Sequence, residues 1–237
     1  MSNKNRVAVI TGATGGLGRV VAKRLAQEGA SLALFSSNES SLSQLADELA
    51  LPQERWMTRA VDFRYPLAAQ TALQATLEKF GRAELLLHFV GGWIGGKTIT
   101  EFETSQFEDM LQQHLWTTLH LTKAFVPHFT ANGWGRIVVV SSPNAAQPAA
   151  KSAPYAIAKA AQETLLLALA QELKHSGVTA NILRVSTIDV KHTRDLEPSL
   201  ANAAWTAPEE IAEAVLYLCS DEAKVVNGAR IPLYGSP

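Results

Sequence analysis

The stretch RVAVITGATGGLGRVVAKRLAQEG, residues 6–29, decides the fold of this chain. A short apolar run rich in β-branched residues ends at Thr11, a glycine-rich turn follows, and a helical pattern begins at once. Gly12 permits the tight turn, Gly16 the close approach of a pyrophosphate, and Gly18 the packing of the helix on the strand. The helix N-terminus then stabilises the anion. The stretch predicts a phosphate-binding turn, with an ordinary strand-turn-helix unit as the alternative.

The same alternation of short apolar runs and longer helical patterns continues along the chain, which is typical of a parallel sheet covered on both faces. We expect one α/β domain over residues 1–237, a Rossmann-type doubly wound parallel sheet of about seven strands. Strands are predicted at Arg6–Thr11, Ser31–Phe35, Trp56–Val61, Glu84–Phe89, Arg136–Ser141, Thr179–Val185 and Ala229–Leu233. Helices are predicted at Gly16–Glu28, Ser40–Leu49, Pro66–Phe80, Thr104–Thr130, Pro154–His175 and Pro208–Ser220.

Two segments add to this plan. Residues 186–207 form the one long stretch without a regular pattern, and we interpret them as a loop on the substrate side. The helix around Ala158–Ala170 is apolar on nearly every side, and a single sheet face cannot cover it fully. A second copy of the chain is the simplest cover, so we expect a homodimer or homotetramer.

Composition narrows the classes of partner. The chain has 237 residues, 47% of them hydrophobic, and its 21 Lys and Arg nearly balance its 22 Asp and Glu, without a dense basic patch for nucleic acid. No apolar run is long enough for a bilayer, and the start lacks a signal-peptide core. The single cysteine, Cys219, fits a reducing compartment, so a cytoplasmic location is expected. The six histidines show no metal-ligand spacing, so no metal site is predicted.

A hydroxyl, a phenol and an amine form a candidate reaction site. Ser142 follows the apolar strand that ends VVVSS, where open α/β sheets bind ligands. Tyr155 and Lys159 are four residues apart on a predicted helix, so they share one face. A free phenol has a pKa of roughly 10, and a neighbouring ammonium helps lower it. The alternative is a half-buried tyrosine beside a lysine with a solvated amine.

Together with the glycine loop, Ser142, Tyr155 and Lys159 resemble the Ser-Tyr-Lys triad of the classical short-chain dehydrogenase/reductase family, and the resemblance runs from Val7 to the C-terminal IPLYG. It implies an NAD(P)-dependent oxidoreductase acting on a carbonyl or alcohol. Tyr155 would be the general acid or base, Ser142 would polarise the substrate oxygen, and Lys159 would hold the nicotinamide ribose. The cofactor itself supplies the hydride chemistry.

The resemblance also implies which residues contact the cofactor, with Asp62 at the adenine. The second strand ends in Phe35-Ser36-Ser37-Asn38, which supplies neither the acid that binds a ribose 2′-hydroxyl nor an arginine for a 2′-phosphate. The missing carboxylate leaves room for a phosphate, so the sequence favours NADP(H) over NAD(H). The predicted cofactor contacts are Gly12, Thr14, Gly15, Gly16, Leu17, Gly18, Ser36, Ser37, Asn38, Asp62, Phe63, Val90, Gly91, Tyr155, Lys159 and Ile188.

Three positions depart from the family pattern. The usual Asn-Asn-Ala-Gly after the fourth strand is replaced by residues 88–91, HFVG, and the usual Pro-Gly after the sixth strand is replaced by Val185-Ser186. His114 replaces the helix asparagine that extends the proton path from the lysine. As a candidate catalytic residue His114 relays protons, and in the alternative it only fills the space of the asparagine. The substrate pocket is predicted to include Trp93, Pro143, Asn144, Gln147 and Trp205.

An intact triad favours an enzyme. The departures motivate a second hypothesis, a regulatory protein that keeps the dinucleotide pocket but is catalytically impaired. A nucleotide-sugar epimerase or dehydratase is a third, disfavoured because those relatives usually carry a longer C-terminal substrate region.

Overall fold

The computed structural model describes residues 3–235, and seven of its strands form one parallel sheet. The strands are β1 (Val7–Thr11), β2 (Ser31–Ser36), β3 (Trp56–Ala60), β4 (Leu85–His88), β5 (Gly135–Ser141), β6 (Val178–Val185), β7 (Thr187–Ile188), β8 (Trp205–Thr206) and β9 (Arg230–Leu233). The helices are α1 (Gly16–Gln27), α2 (Glu39–Leu49), α3 (Pro66–Phe80), α4 (Thr104–Leu111), α5 (Thr117–Ala131), α6 (Ala153–Glu172), α7 (Thr193–Leu196) and α8 (Pro208–Cys219). The predicted Rossmann-type fold is confirmed.

The sheet is buried on both faces, which explains why its strands are almost continuously apolar. One face packs against α1, α2 and α8 through residues such as Leu25, Leu45 and Val215. The other packs against α3, α5 and α6 through residues such as Phe125 and Leu166. Because helices cover both faces, ligands reach the sheet at the ends of its strands.

The strand order β3-β2-β1-β4-β5-β6-β9 reverses direction between β1 and β4. Thr11 and His88, the last residues of these two strands, are register partners. The segments that follow them run to opposite faces of the sheet and leave a crevice at its carboxyl edge. The glycine loop after β1 and residues 89–92 after β4 therefore form the two lips of one crevice.

The predicted helix Thr104–Thr130 is interrupted. Between α4 and α5 the chain makes a π-helical turn, Gln112–Trp116, and the helix then continues to Ala131. A π-turn adds a residue to the helical repeat, and such turns are frequent at functional sites. His114 lies in this widened turn, which apolar periodicity alone does not reveal.

Residues 186–207 are more ordered than the predicted irregular loop. Strands β7 and β8 pair in parallel, with Thr187 opposite Trp205, and the short helix α7 lies between them. The carboxylate of Asp189 accepts hydrogen bonds from the backbone N–H groups of Thr193 and Arg194 at 2.8 and 2.7 Å. These bonds cap α7 and hold the segment against the crevice.

Among residues 3–235, no helix combines the length and apolar character needed to cross a membrane.

Candidate active site

Two adjoining cavities occupy the carboxyl edge of the sheet, with volumes of about 360 and 300 Å³. Each has the size of a small-molecule pocket. Both are lined by Gly12, Gly15, Phe89, Val90 and Gly91, the lips of the crevice. The first continues toward α6 and residues 186–188, and the second toward the ends of β2 and β3. Together they form one elongated site across the switch point.

The glycine loop keeps this crevice open because side chains at its glycines would collide with neighbouring groups. Gly12 has a φ of +71°, and a Cβ there would lie 2.8 Å from the carbonyl carbon of Phe89. At Gly18 a Cβ would lie 2.8 Å from the Cα of Ala13. Helix α1 begins at Gly16 without a side-chain cap or an acidic residue in its first turn, so its first N–H groups are available to an anion. The loop therefore fits a pyrophosphate.

The second cavity is the adenosine end of the predicted site. It is lined by Ser36, Ser37, Asp62, Phe63 and Arg64, among others. The Arg64 guanidinium bonds both oxygens of Asp62 at 2.6 to 3.0 Å, and this bonding lowers the pKa of the carboxyl against its partial burial. The two charges oppose each other, so the cavity carries little net charge.

Two of the predicted cofactor residues are committed to other partners. The Asn38 side chain accepts a hydrogen bond from the N–H of Ser41 at 2.9 Å and so caps α2. The hydroxyl of Thr14 bonds that of Ser36 at 2.7 Å and ties the glycine loop to β2. Neither Thr14 nor Asn38 lines the cavities, whereas the remaining predicted cofactor residues do.

The reaction end lies in the first cavity. Pro154 occupies the first turn of α6, so the helix begins directly before Tyr155, and Lys159 follows one turn later. Both side chains line the cavity, whereas Ser142, which follows β5, is not among the lining residues, and its hydroxyl accepts from the N–H of Asn144 at 3.3 Å. Ser142 is 2% exposed and Lys159 5%, so these two groups are shielded from water, whereas Tyr155 is half-buried.

Burial controls the protonation of these groups. It raises the pKa of Tyr155 above its ordinary value of 10.0, and the Ser142 hydrogen bond opposes this increase. It lowers the pKa of Lys159 to about 7, and the charge of Glu163 opposes this decrease. The net shift of the Tyr155 pKa is therefore upward, opposite to the lowering predicted from the proximity of Lys159, whose nitrogen lies 5.9 Å from the ring centroid. Near neutral pH the phenol is protonated.

His114 packs against the reaction site. Its ring meets that of Tyr155 edge to face, with centroids 5.5 Å apart. Its Nε2 lies 3.0 Å from the carbonyl oxygen of Gly92, so Nε2 carries the proton and donates it, while the buried Nδ1 has no hydrogen-bond partner. Burial, together with the charge of Lys159, lowers its pKa to about 2. The imidazole is therefore neutral.

Both ring nitrogens of His88 are hydrogen-bonded by threonine side chains. The Thr117 hydroxyl donates to the Gln113 carbonyl at 2.6 Å, so it accepts from His88 Nε2 at 3.2 Å. His88 Nδ1 in turn accepts from the hydroxyl of Thr11 at 2.7 Å. Burial, reinforced by the charge of Lys159, lowers the His88 pKa to about 3. The histidine is a neutral link between β1, β4 and the π-turn.

The residues predicted to border the substrate are dispersed. Trp93 lines the first cavity and is 62% exposed. Asn144 is turned back on the chain, where its side-chain oxygen accepts from the N–H of Ala149 at 2.8 Å. Pro143, Asn144, Gln147 and Trp205 are not among the residues that line the two cavities.

A group of buried polar residues beside Lys159 was not predicted from the sequence. Gln162 and Glu163 are 1% and 2% exposed, and Arg184 bonds Glu163 at 2.6 and 2.9 Å. A signal was present, because Gln162-Glu163 interrupts an otherwise apolar helix. Its meaning depended on which strands pack against α6.

Over residues 3–235, no group of three or more His, Cys, Asp or Glu side chains is arranged to hold a metal ion. Cys219 is a free, buried thiol, and burial raises its pKa to about 12, which leaves it unreactive.

Comparison with known proteins decides the family. A sequence model of the short chain dehydrogenases matches residues 6–201. The chain belongs to this family. Among its short chain dehydrogenase relatives, the 1,6-dihydroxycyclohexa-2,4-diene-1-carboxylate dehydrogenase of Pseudomonas putida is 31% identical and matches 98% of this chain and 92% of that protein. The 3-oxoacyl-(acyl-carrier-protein) reductase of Salmonella typhimurium is 26% identical, with 99% and 98% covered.

Solved short chain dehydrogenase structures share the fold. The 3-ketoacyl-(acyl-carrier-protein) reductase from Brucella melitensis, crystallised with NADH, superimposes with a TM-score of 0.88 at 24% identity, over 98% of each chain. Family membership makes the protein an oxidoreductase acting on CH–OH or C=O groups.

Proposed function

We propose that the protein transfers a hydride between a nicotinamide dinucleotide and a carbonyl or alcohol carbon, with Tyr155, Ser142 and Lys159 as its catalytic residues. One observation carries the proposal: the phenol of Tyr155 and the amine of Lys159 line the same cavity as the glycine loop. A proton donor, a lysine amine and a cradle for phosphate thus share one crevice.

The crevice suits the cofactor in shape and in chemistry. The loop Gly12–Gly18 would hold the pyrophosphate, the adenosine would occupy the second cavity beside Asp62, and Ile188 and Lys159 would border the nicotinamide riboside. When bound, the nicotinamide ring supplies or accepts the hydride. The protein then has to orient the substrate carbon, exclude water and move one proton.

Tyr155 is the residue that moves the proton. In reduction its hydroxyl donates a proton to the oxygen of the carbonyl substrate while the carbon receives the hydride, which yields the alcohol. Ser142 donates a hydrogen bond to the same oxygen and stabilises its developing charge. Burial raises the pKa of the phenol, so near neutral pH its hydroxyl holds the proton that reduction requires.

We further propose NADP(H) as the preferred cofactor. The end of β2 presents Ser37 to the adenosine cavity and carries no carboxylate that would repel a 2′-phosphate, and the Asp62 carboxylate of the same cavity is paired with Arg64. Fluorescence titration with NADPH and NADH separately tests this preference. Tighter binding of NADH would overturn it.

A homo-oligomer and a cytoplasmic location remain predictions. Ile157 is 49% exposed on α6, so part of the apolar helix predicted to need a second copy is uncovered. Light scattering coupled to gel filtration measures the oligomeric state, and a mass equal to one chain would refute the homodimer or homotetramer. The single buried cysteine is the observation behind the predicted reducing compartment.

The Tyr155→Phe variant tests the proposed activity. A panel of cyclic dihydrodiol carboxylates, 3-oxoacyl thioesters, aldehydes and ketones is screened with both cofactors to find a turned-over substrate. Removing the proton donor is then expected to lower kcat by at least about 100-fold, while cofactor binding persists because the glycine loop is unchanged. Tyr217→Phe, on α8 away from the crevice, is the matched control.

Full activity in Tyr155→Phe would refute the mechanism. Cofactor binding without turnover of any substrate on the panel would instead support the catalytically impaired regulatory protein. Failure to bind either dinucleotide would refute both.

A further inference from the structure

Lys159 has two fixed hydrogen-bond partners within the protein. Its ammonium donates to the carbonyl oxygen of Val140 at 2.7 Å and to Oε1 of Gln162 at 2.9 Å. An ammonium has three N–H donors. Since Lys159 also lines the first cavity, the third donor is left for a group bound there.

Gln162 is itself held by a chain of hydrogen bonds. Its Nε2 donates to the hydroxyl of Thr118 at 2.8 Å, and that hydroxyl donates to the backbone carbonyl of His114 at 2.6 Å. Each donor in the chain has one acceptor ahead of it, so the amide has a single satisfactory orientation. Its oxygen faces the lysine.

The other groups around Lys159 offer it no direct hydrogen bond. His88 and His114 are neutral, with pKa values that burial lowers to about 3 and 2. Tyr155, on the same helix, is protonated near neutral pH. The Glu163 carboxylate also faces it from α6 but is engaged by Arg184 and Arg230. Within the described chain, Gln162 is the side chain that accepts directly from the ammonium.

We propose that Gln162 is a positioning residue of the reaction: it keeps Lys159 charged and aimed into the cavity, and Thr118 and the π-turn carbonyl of His114 hold it in place. This inference rests on the proposed function. It also assigns the His114 backbone, rather than its imidazole, to the support of the lysine.

The physical basis is the cost of burying a charge. Burial lowers the Lys159 pKa to about 7, so the charged and neutral forms are nearly balanced at neutral pH. A hydrogen bond from an ammonium to an amide oxygen stabilises the charged form. Removing that oxygen shifts the balance toward the neutral amine, and an anionic oxygen in its place shifts it toward the ammonium.

The first test measures Lys159 itself in cofactor-free protein. Lysine side chains labelled with ¹³C at Cε are titrated by NMR, and Lys159→Arg assigns the signal. In Gln162→Leu the midpoint is expected to move to lower pH by about one pH unit, the order of one hydrogen bond to a charged group. Gln162→Glu is expected to move it to higher pH.

Thr122→Val provides a matched control. Thr122 is another buried α5 threonine, and it donates to the carbonyl of Leu119 instead of joining this chain. Its removal is expected to leave the Lys159 midpoint in place, whereas Thr118→Val is expected to lower it. If both Gln162 variants leave the midpoint unchanged, or move it in the same direction, the inference is wrong.

The second test uses the pH dependence of reduction. Loss of the Lys159 charge at high pH gives the rate an alkaline limb, which Gln162→Leu is expected to move to lower pH by about one unit. A merely structural glutamine would lower stability without moving the limb. Should Tyr155→Phe be inactive while Gln162→Leu keeps the wild-type limb and midpoint, only the role of Gln162 fails. Full activity of Tyr155→Phe refutes the proposed function, and the NMR midpoint still reports on Gln162.

Discussion

Replacement of Glu163 by glutamine is expected to destabilise the fold strongly, because this carboxylate is the shared partner of two arginines. Its oxygens accept from Arg184 at 2.9 and 2.6 Å and from Arg230 at 2.9 Å. The side chain of Glu163 is 3% exposed and that of Arg184 is 17% exposed. The Glu163→Gln variant keeps the shape but turns an NH₂ group toward a guanidinium, so a buried cation loses its counterion.

The magnitude follows from the burial of Glu163 and Arg184. Removing one partner of a buried ion pair costs about 3–5 kcal/mol, and the residual exposure of Arg184 places this site near 3 kcal/mol. For a chain of this length that corresponds to a fall in Tm of about 6–12 °C. Arg230 is 43% exposed, so Arg230→Ala is expected to cost no more than about 1 kcal/mol. Arg230→Ala is thus the matched control.

Acidification supplies a second signature. Burial would raise the Glu163 pKa, but the hydrogen bond and charge of Arg184, with help from Ser141 and Arg230, lower it below the ordinary 4.5. A carboxyl with a lowered folded-state pKa contributes fully above its unfolded value and loses that contribution as the pH falls through the folded value. The difference between wild type and Glu163→Gln should therefore be constant from pH 6 to 8 and shrink below about 4.5.

Calorimetry and urea unfolding of the three proteins measure these differences. If Glu163→Gln lowers the free energy of unfolding by less than about 1 kcal/mol, or by no more than Arg230→Ala does, then Arg184 finds other acceptors and the expected loss is refuted.

Two further changes probe the crevice. Gly18→Ala places a Cβ against the backbone of Gly12 and Ala13, which is expected to lower the free energy of unfolding by about 1–3 kcal/mol. The variant is also expected to bind dinucleotide more weakly in a fluorescence titration. Gly81→Ala, where the added Cβ meets open space, should leave binding unchanged. Asp189→Ala removes the cap of α7, a loss of about 1 kcal/mol, and should raise hydrogen exchange at residues 193–197, with equal protection in both proteins counting against the cap.

Local signals in the sequence were enough for the sheet, most helices and the glycine loop. The loop could be interpreted because Gly12 is required by the backbone geometry of the turn and Gly18 by the close packing of helix on strand, as in any strand-turn-helix unit of this kind. The shared helix face of Tyr155 and Lys159 was predictable for a similar reason, since their spacing is four residues, whereas their proposed roles came from the family resemblance. These features depend on residues near one another in the chain.

The remaining features depend on contacts between distant segments. The π-turn at Gln112–Trp116 interrupts a helix whose apolar pattern continues across it, and the bonding of Gln162 becomes visible only once α5 packs against α6. Asn38 was assigned to the cofactor, yet it caps α2, because a polar residue at a strand end serves a helix start equally well. Sequence patterns do not distinguish such uses.

Two of the departures from the family pattern, His88 and His114, share one property, an uncharged imidazole. His88 and His114 are both neutral and tightly packed, so each adds a hydrogen-bonding group beside Lys159 without adding a charge that would compete with it. A protonated imidazole at either position would repel the ammonium and favour the neutral amine. Because burial lowers both histidine pKa values, neither imidazole repels the Lys159 ammonium. The amide oxygen of Gln162, which accepts from that ammonium, is then the side-chain group that stabilises its charge.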